Sequence, residues 1–340
     1  MEFIKYLSNL IDNYLMVYVD KLLKRPNIKE GFQEITFDKI KKGKDFVLGM
    51  WGETAKRDIK PDGNWEKFRP IGEQQNEIFE RMWCVSESAC NAIETMFNFF
   101  VHQVNNEEAD STTQELVKIF KHFGLIVGDK CLLSTPYVAA GSGTTARGNN
   151  QKFVADFIRH YGLTPKGTWP EYRNWNQLYY PAGGVLINGN RVPKELLDRG
   201  KKLVEFVDIY YEWVIPTQFF SNYKYGLMQT SGHAWDYQKN GIYQYVSYPR
   251  NHAFVSDFKV PSYFGAFDSY NPFAKKLANN FNLGYGMLYT FKVKKPLTPF
   301  NAEEIQKLKA RGWDYVLLVN DCGEYTPGAY RLLDDKLEKA

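Results

Sequence analysis

The chain has 340 residues, of which 44% are hydrophobic and 24% charged, and its 43 basic and 39 acidic side chains leave a net charge of +4. That length and apolar content bury a full core without covalent staples, which excludes collagenous, disordered and disulfide-knotted classes. The slight positive balance offers no electrostatic footprint for nucleic acid, and four cysteines (Cys84, Cys90, Cys131, Cys322) form no disulfide framework.

At the N-terminus, Ile4, Leu7, Ile11, Leu15, Tyr18 and Leu22 recur every three or four residues, which predicts an amphipathic helix over 1–25. Lys5, Asp12, Asp20 and Lys21 interrupt the apolar run, so neither a transmembrane segment nor a signal peptide is expected. The helix reads as a docking element for its own domain, for a partner subunit, or as a cover over an active site, with surface membrane binding as the alternative. Residues 26–70 read as an extended lead-in with one strand-like piece, Phe46–Trp51.

Helical spacing runs over 74–101, with Ile78 and Met82 leading into Val85, Ala89, Ile93, Met96, Phe97 and Phe100. A second helix is expected over 111–123, with Ser111 or Thr112 as N-cap and Gly124 closing it. Gly141–Gly148 reads as a polar loop. Asn149 or Asn150 then caps a helix that ends at His160 before Gly162. Residues 164–198 are turn-rich, and a short helix is expected from Pro193 through Phe206.

From 209 onward short strand-like runs dominate: Ile209–Val214, Gly226–Thr230, Ile242–Tyr248, His252–Phe258, Ser262–Phe267 and Tyr285–Lys292. Asn240-Gly241 marks a hairpin. Helices first and strands afterwards predict an α+β fold. A polar helix over 302–311 and a hairpin of Trp313–Val319 with Tyr330–Leu333 form an appendage. The expected organisation is a lead-in over 1–60, a principal domain over 61–295 and the appendage over 296–340.

Cys84 heads the apolar stretch Val85–Phe100. A helix N-terminus carries partial positive charge and unpaired N–H groups, which favour the thiolate form of a cysteine placed there. Cys90, further along the same helix, reads as a small buried apolar residue. A nucleophilic cysteine needs a base from elsewhere in the chain. His102, His122 and His160 lie near helix ends in polar company, whereas His233 and His252 lie in the strand-rich half. His252 opens the strand His-Ala-Phe-Val directly after Asn251, at a sheet rim. Asp268, sixteen residues on, closes the next strand in Phe267-Asp-Ser-Tyr270. Antiparallel pairing of those strands brings Asp268 to His252, where it orients the imidazole and stabilises its cation. The cysteines and histidines show no paired metal-ligand spacing, and Gly141–Gly148 lacks the Gly-Lys-Ser/Thr ending of a phosphate loop, so no metal or cofactor is expected.

The order of a cysteine at a helix start, a distant His-Ala strand and an acidic or amide residue before Ser-aromatic resembles the papain-like cysteine proteases. Gly148–Pro170, Asn251-His-Ala and Asp268-Ser-Tyr carry the resemblance. More closely, Met82–Asn91, Ser142-Gly-Thr-Thr145 and Phe267–Tyr270 are similar to a divergent group of that family seen in bacteriophages and uncultured bacteria. The resemblance spans about 62–292. It implies that Cys84 is the nucleophile, His252 the general base and acid, and Asp268 the orienting residue, where papain relatives usually have Asn. Those relatives usually carry an oxyanion-hole Gln six residues before the cysteine. Here that position is Ile78, and the nearest glutamines are Gln75, taken as the oxyanion candidate, and Gln74.

Trp83, Ser142, Gly143, His233, Trp235, Asn251 and Tyr270 are the candidates for lining the cleft. The implied activity is hydrolysis of peptide or isopeptide bonds in a protein or peptide substrate through an acyl-enzyme, in a cytoplasm or a phage particle. The alternative is a non-catalytic papain-like scaffold with a structural or interaction role, such as a virion component. Amidase or transglutaminase-like acyl transfer is a third reading.

Overall fold

The computed structural model describes residues 32–33, 46–47, 57–235, 237–297, 302–318, 328–333 and 336–339. The expected N-terminal helix and Cys322 lie outside these residues. Of the expected strand Phe46–Trp51, β1 (Phe46–Val47) is described.

The helical pattern read from residue 74 starts only at Cys84: α1 runs Cys84–Asn105, and residues 75–79 are turns and bends. Met82 has a left-handed backbone (φ 55°), which breaks any helix before it, and Ile78 is 57% exposed. Their helical spacing is coincidental. Every residue of α1 from Cys84 to Val101 is buried. A helix buried on all sides must satisfy its polar groups internally. Glu94 accepts a bond from the Leu133 N–H (2.6 Å), and Glu87 accepts one from Thr135 Oγ1 (2.5 Å). Asn98 bonds the Cys131 N–H (2.8 Å) and the Phe68 carbonyl (3.0 Å).

Smaller elements surround this helix. α2 (Ser111–His122) is capped by Asp110, whose side chain accepts the Thr113 N–H, so the cap precedes the expected Ser111 or Thr112. β2 (Ile126–Val127) and β3 (Lys130–Cys131) form a short hairpin before α3 (Thr135–Gly141). Asn150 caps α4 (Gln151–Tyr161). Gly162 ends α4 at φ +69°, with the Gly200 carbonyl oxygen 2.2 Å from where a Cβ would sit, so only glycine fits. The turn-rich stretch holds α5 (Trp175–Tyr179) and a hairpin of β4 (Val185–Ile187) and β5 (Asn190–Val192), followed by α6 (Lys194–Phe206).

Among the described residues, the strand-rich half is a nine-stranded mixed sheet. It contains β6 (Val207–Val214), β7 (Met228–Gly232), β8 (Gln238–Lys239), β9 (Ile242–Tyr243), β10 (His252–Val260), β11 (Tyr263–Phe267), β12 (Ala274–Ala278) and β13 (Gly286–Val293), with the one-turn α7 (Phe219–Asn222) after β6. The spatial order is β1-β6-β13-β7-β10-β11-β12-β9-β8. All pairings are antiparallel except β1 with β6 and β9 with β12. β7 lies two residues later than expected, the run to Tyr248 is strand only at β9, and β12 had no counterpart in the sequence reading. Both faces of β10 are covered: Ala253 and Val255 join the cluster around α1, and Phe254 joins a second cluster with Phe219, Leu277 and Phe281. At a bulge in β10, Asp257 takes a two-pronged bond from Arg69 (2.6 and 3.0 Å), which ties the segment before α1 to the sheet.

The fold is α+β. After the sheet come α8 (Ala302–Ala310), β14 (Tyr315–Leu318), β15 (Gly328–Leu332) and β16 (Leu337–Lys339), with their own cluster of Ile305, Tyr330, Leu332 and Leu337. No helix among the described residues is long and apolar enough to cross a membrane.

Candidate active site

Cys84 is the first residue of α1 and is fully buried, with Trp83 at the N-cap. The strained Met82 sets the entry to the helix, and its N–H bonds the Glu80 carboxylate (3.2 Å). His252 is the first residue of β10. Asp268 follows the last residue of β11, the antiparallel neighbour of β10. The strand pairing therefore brings the two together, and His252 Nε2 lies 2.5 Å from Asp268 Oδ1 with both side chains fully buried.

With Nε2 committed, Nδ1 is the ring nitrogen left for the thiol. It makes no bond of regular geometry among the described residues. Cys84 is nonetheless near enough to act on the imidazole through charge and hydrogen bonding. Burial pushes the imidazole toward its neutral form, but Asp268 and then Cys84 outweigh it and hold His252 up at about 10. Burial also pushes the Asp268 carboxyl up. His252 and Lys275 outweigh that and bring it down to about 2. Asp268 Oδ1 also accepts the Ser269 N–H (2.7 Å), and its Oδ2 pairs with Lys275 Nζ at 2.8 Å.

Aromatic rings wall the pair. Trp235 meets His252 edge-on with 5.9 Å between centroids, and the Tyr270 ring lies 5.1 Å away. Asn251 acts one step back: its side chain accepts the Ala234 N–H (3.0 Å), fixing the turn that carries Trp235. Trp83 is fully buried, with the Arg81 guanidinium 4.6 Å from its ring.

Gln75 lies beside these groups but is occupied. Its Nε2 donates to Glu80 and to the Tyr270 hydroxyl (2.9 Å), and its Oε1 accepts from Ser269 Oγ (3.1 Å). Both amide N–H groups are thereby committed, so in this conformation Gln75 offers no open donor to an oxyanion. Tyr270 in turn donates to Glu80 Oε2 (2.7 Å).

Ser142 and Gly143 line a different cavity of about 530 Å³, with Phe153, Asp156, His160 and Asn188, and none of Cys84, His252 and Asp268 is among its walls. His233 is turned toward the Pro249 carbonyl, which lies 2.9 Å from its Nδ1, and toward the Tyr248 ring. Sequence reasoning missed Glu80 and Lys275. The alternation along β12 that buries Leu277 also buries Lys275, but the sequence carried no signal for that strand. Among the described residues no group of three or more His, Cys, Asp or Glu side chains is arranged to hold a metal.

No protein-family model and no curated protein matches the chain. Solved structures give distant correspondences. Xylellain, a cysteine protease from Xylella fastidiosa, aligns over 80% of this chain and 99% of its own at 10% identity and a TM-score of 0.45. A procathepsin B from Trypanosoma congolense aligns over 78% and 88% at 11% identity and a TM-score of 0.42. A Carica candamarcensis cysteine protease aligns over 67% and 96% at 11% identity and a TM-score of 0.39. Likeness this remote leaves the functional reading to rest on the site itself.

Proposed function

We propose that this chain is a papain-like cysteine peptidase in which Cys84, His252 and Asp268 form the catalytic triad. The observation that carries the reading is the buried His252–Asp268 contact with Cys84 acting on the same imidazole from a helix N-terminus. In this reading the Cys84 thiolate adds to the carbonyl carbon of a peptide or isopeptide bond. The backbone N–H of Cys84, in the first turn of α1 where intrahelical acceptors are missing, supports the oxyanion. The His252 imidazolium gives its proton to the departing amine, the C–N bond breaks and a thioester remains. Water deprotonated by His252 then attacks the thioester, and the C–S bond breaks. Gln75 joins as a second donor once its amide leaves Glu80, and one such donor is worth roughly 10²–10³ in rate.

The test is labelling of the folded chain by an epoxide probe for cysteine nucleophiles. Cys84 is expected to be labelled and the Cys84→Ala variant to be blank. Burial pushes the Cys90 and Cys131 thiols well above their ordinary range, so these two serve as internal controls. Labelling that persists in Cys84→Ala overturns the assignment. The second reading is a non-catalytic scaffold, favoured by the full burial of Cys84 and His252 and by the occupied Gln75. A folded wild-type chain that takes no label decides for it.

A further inference from the structure

β12 alternates, so Lys275 and Leu277 point inward while Ala274 and Lys276 face out. The register sets Lys275 opposite Ala266, two residues before Asp268. A bond from the Asp268 N–H to the Phe273 carbonyl (2.9 Å) closes the turn between the strands and folds Asp268 toward Lys275. The lysine side chain is 1% exposed. Its Nζ pairs with Asp268 Oδ2 (2.8 Å), donates to the Tyr270 carbonyl (2.6 Å) and the Pro272 carbonyl (2.5 Å), and lies 4.9 Å from the centre of the Trp235 ring. Two of the ammonium's three N–H groups are thereby committed to carbonyl oxygens, and its charge faces Asp268 Oδ2.

A carboxylate beside a catalytic imidazole has a drawback that an amide lacks. Its full charge stabilises the imidazolium so well that the proton resists transfer to a leaving group. An opposite charge on the outer oxygen removes much of that excess. We propose that Lys275 is a positioning residue of the triad: it offsets part of the charge of Asp268 from Oδ2, so that Asp268 orients His252 while leaving the imidazolium more acidic than an unpaired carboxylate would. The proposal rests on the triad reading above. The titratable groups facing the pair are Cys84 from α1, Tyr243 from β9, and Tyr270 with Glu80 behind it.

The experiment follows the rate of Cys84 inactivation by the epoxide probe against pH in the full chain. Opening the epoxide needs both a thiolate and an acid, so the wild-type profile is bell-shaped and its alkaline limb reports loss of the imidazolium proton. Lys275→Met is expected to move that limb up by about one unit and to slow inactivation at neutral pH roughly tenfold. Lys275→Arg keeps the charge and the wild-type limb. Asp268→Asn/Lys275→Met, a neutral acceptor with no cation to pair, returns the limb to within about half a unit of wild type. A Lys275→Met profile that overlays wild type overturns the proposal, as does a double variant no closer to wild type than Lys275→Met. Should Lys275→Met fail to fold, Asp268→Asn is compared with the double variant: the lone buried lysine should lower the limb of Asp268→Asn, and coincident profiles overturn the proposal. Failure of the triad reading looks different, because it leaves wild type unlabelled or Cys84→Ala labelled.

Discussion

Two buried carboxylate environments, one at the His252 contact and one along α1, behave in opposite ways. Asp268 contacts His252 and Lys275, and it is held down at about 2 despite complete burial. Glu87 and Glu94, on the helix that Cys84 opens, are equally buried but have no ion pair among the described residues. Burial drives both up to about 8. At neutral pH the helix carboxyls therefore keep a proton that Asp268 has lost. Burial alone neutralises an acid, and a contacting cation is what preserves its charge. Asp257 stands between the two extremes. It has one cation, Arg69, and burial still pushes it above its ordinary value.

The contrast can be broken at each point of the series. The largest expected effect is at Asp257: Arg69→Met leaves a buried carboxylate unpaired and should cost about 3–5 kcal/mol in denaturant unfolding. A loss under about 1 kcal/mol would place Asp257 with the protonated glutamates.

Next come Glu87 and Glu94. Each has an ordinary value of 4.5 and a folded value of about 8, so the folded state holds the extra proton in between. Their stabilisation is complete below the unfolded value and is lost as pH rises toward 8. The slope is about 1.4 kcal/mol per pH unit per group. Glu94→Gln keeps an acceptor for the Leu133 N–H and should flatten the fall in stability between pH 5 and 8 by one group's share. An unchanged slope in thermal unfolding rejects the assignment.

Asp268 has the opposite sign. Its contribution is present above the ordinary value of 3.8 and is lost as pH falls through about 2. That amounts to about 2 kcal/mol, and the acid-side loss should shrink by as much in Asp268→Asn. The smallest effect is the surface control: Lys276→Met, one residue from the buried lysine, should alter stability by no more than about 0.5 kcal/mol and leave inactivation by the epoxide unchanged.

The three residues of the proposed triad were legible because their chemistry constrains local sequence: a cysteine before a helical apolar run, a histidine at a strand start, an aspartate at the next strand's end. The α+β class followed from the switch in hydrophobic period near residue 209. The supports were hidden for physical reasons. Adjacent Lys275 and Lys276 look like two surface charges, and Ala-Lys-Lys-Leu-Ala has little β propensity, so β12 emerges only through its pairing with β11. Glu80 and Gln75 find each other through an irregular segment that mimics helical spacing up to Met82. No periodic pattern encodes a left-handed residue.

The polar stapling of α1 also has a dynamic meaning. Glu87, Glu94 and Asn98 lock the helix to residues 131–135, and Gln229 Nε2 bonds the Val85 carbonyl (2.6 Å) from β7. Opening α1 locally would break these bonds together, whereas β8 and β9 at the sheet edge are two residues each, β8 exposed and β9 half-buried. Amide hydrogens in the middle of α1 should therefore exchange only through global unfolding, while those of the edge hairpin exchange early. The backbone that carries Cys84 would then stay fixed through fluctuations that loosen the sheet edge.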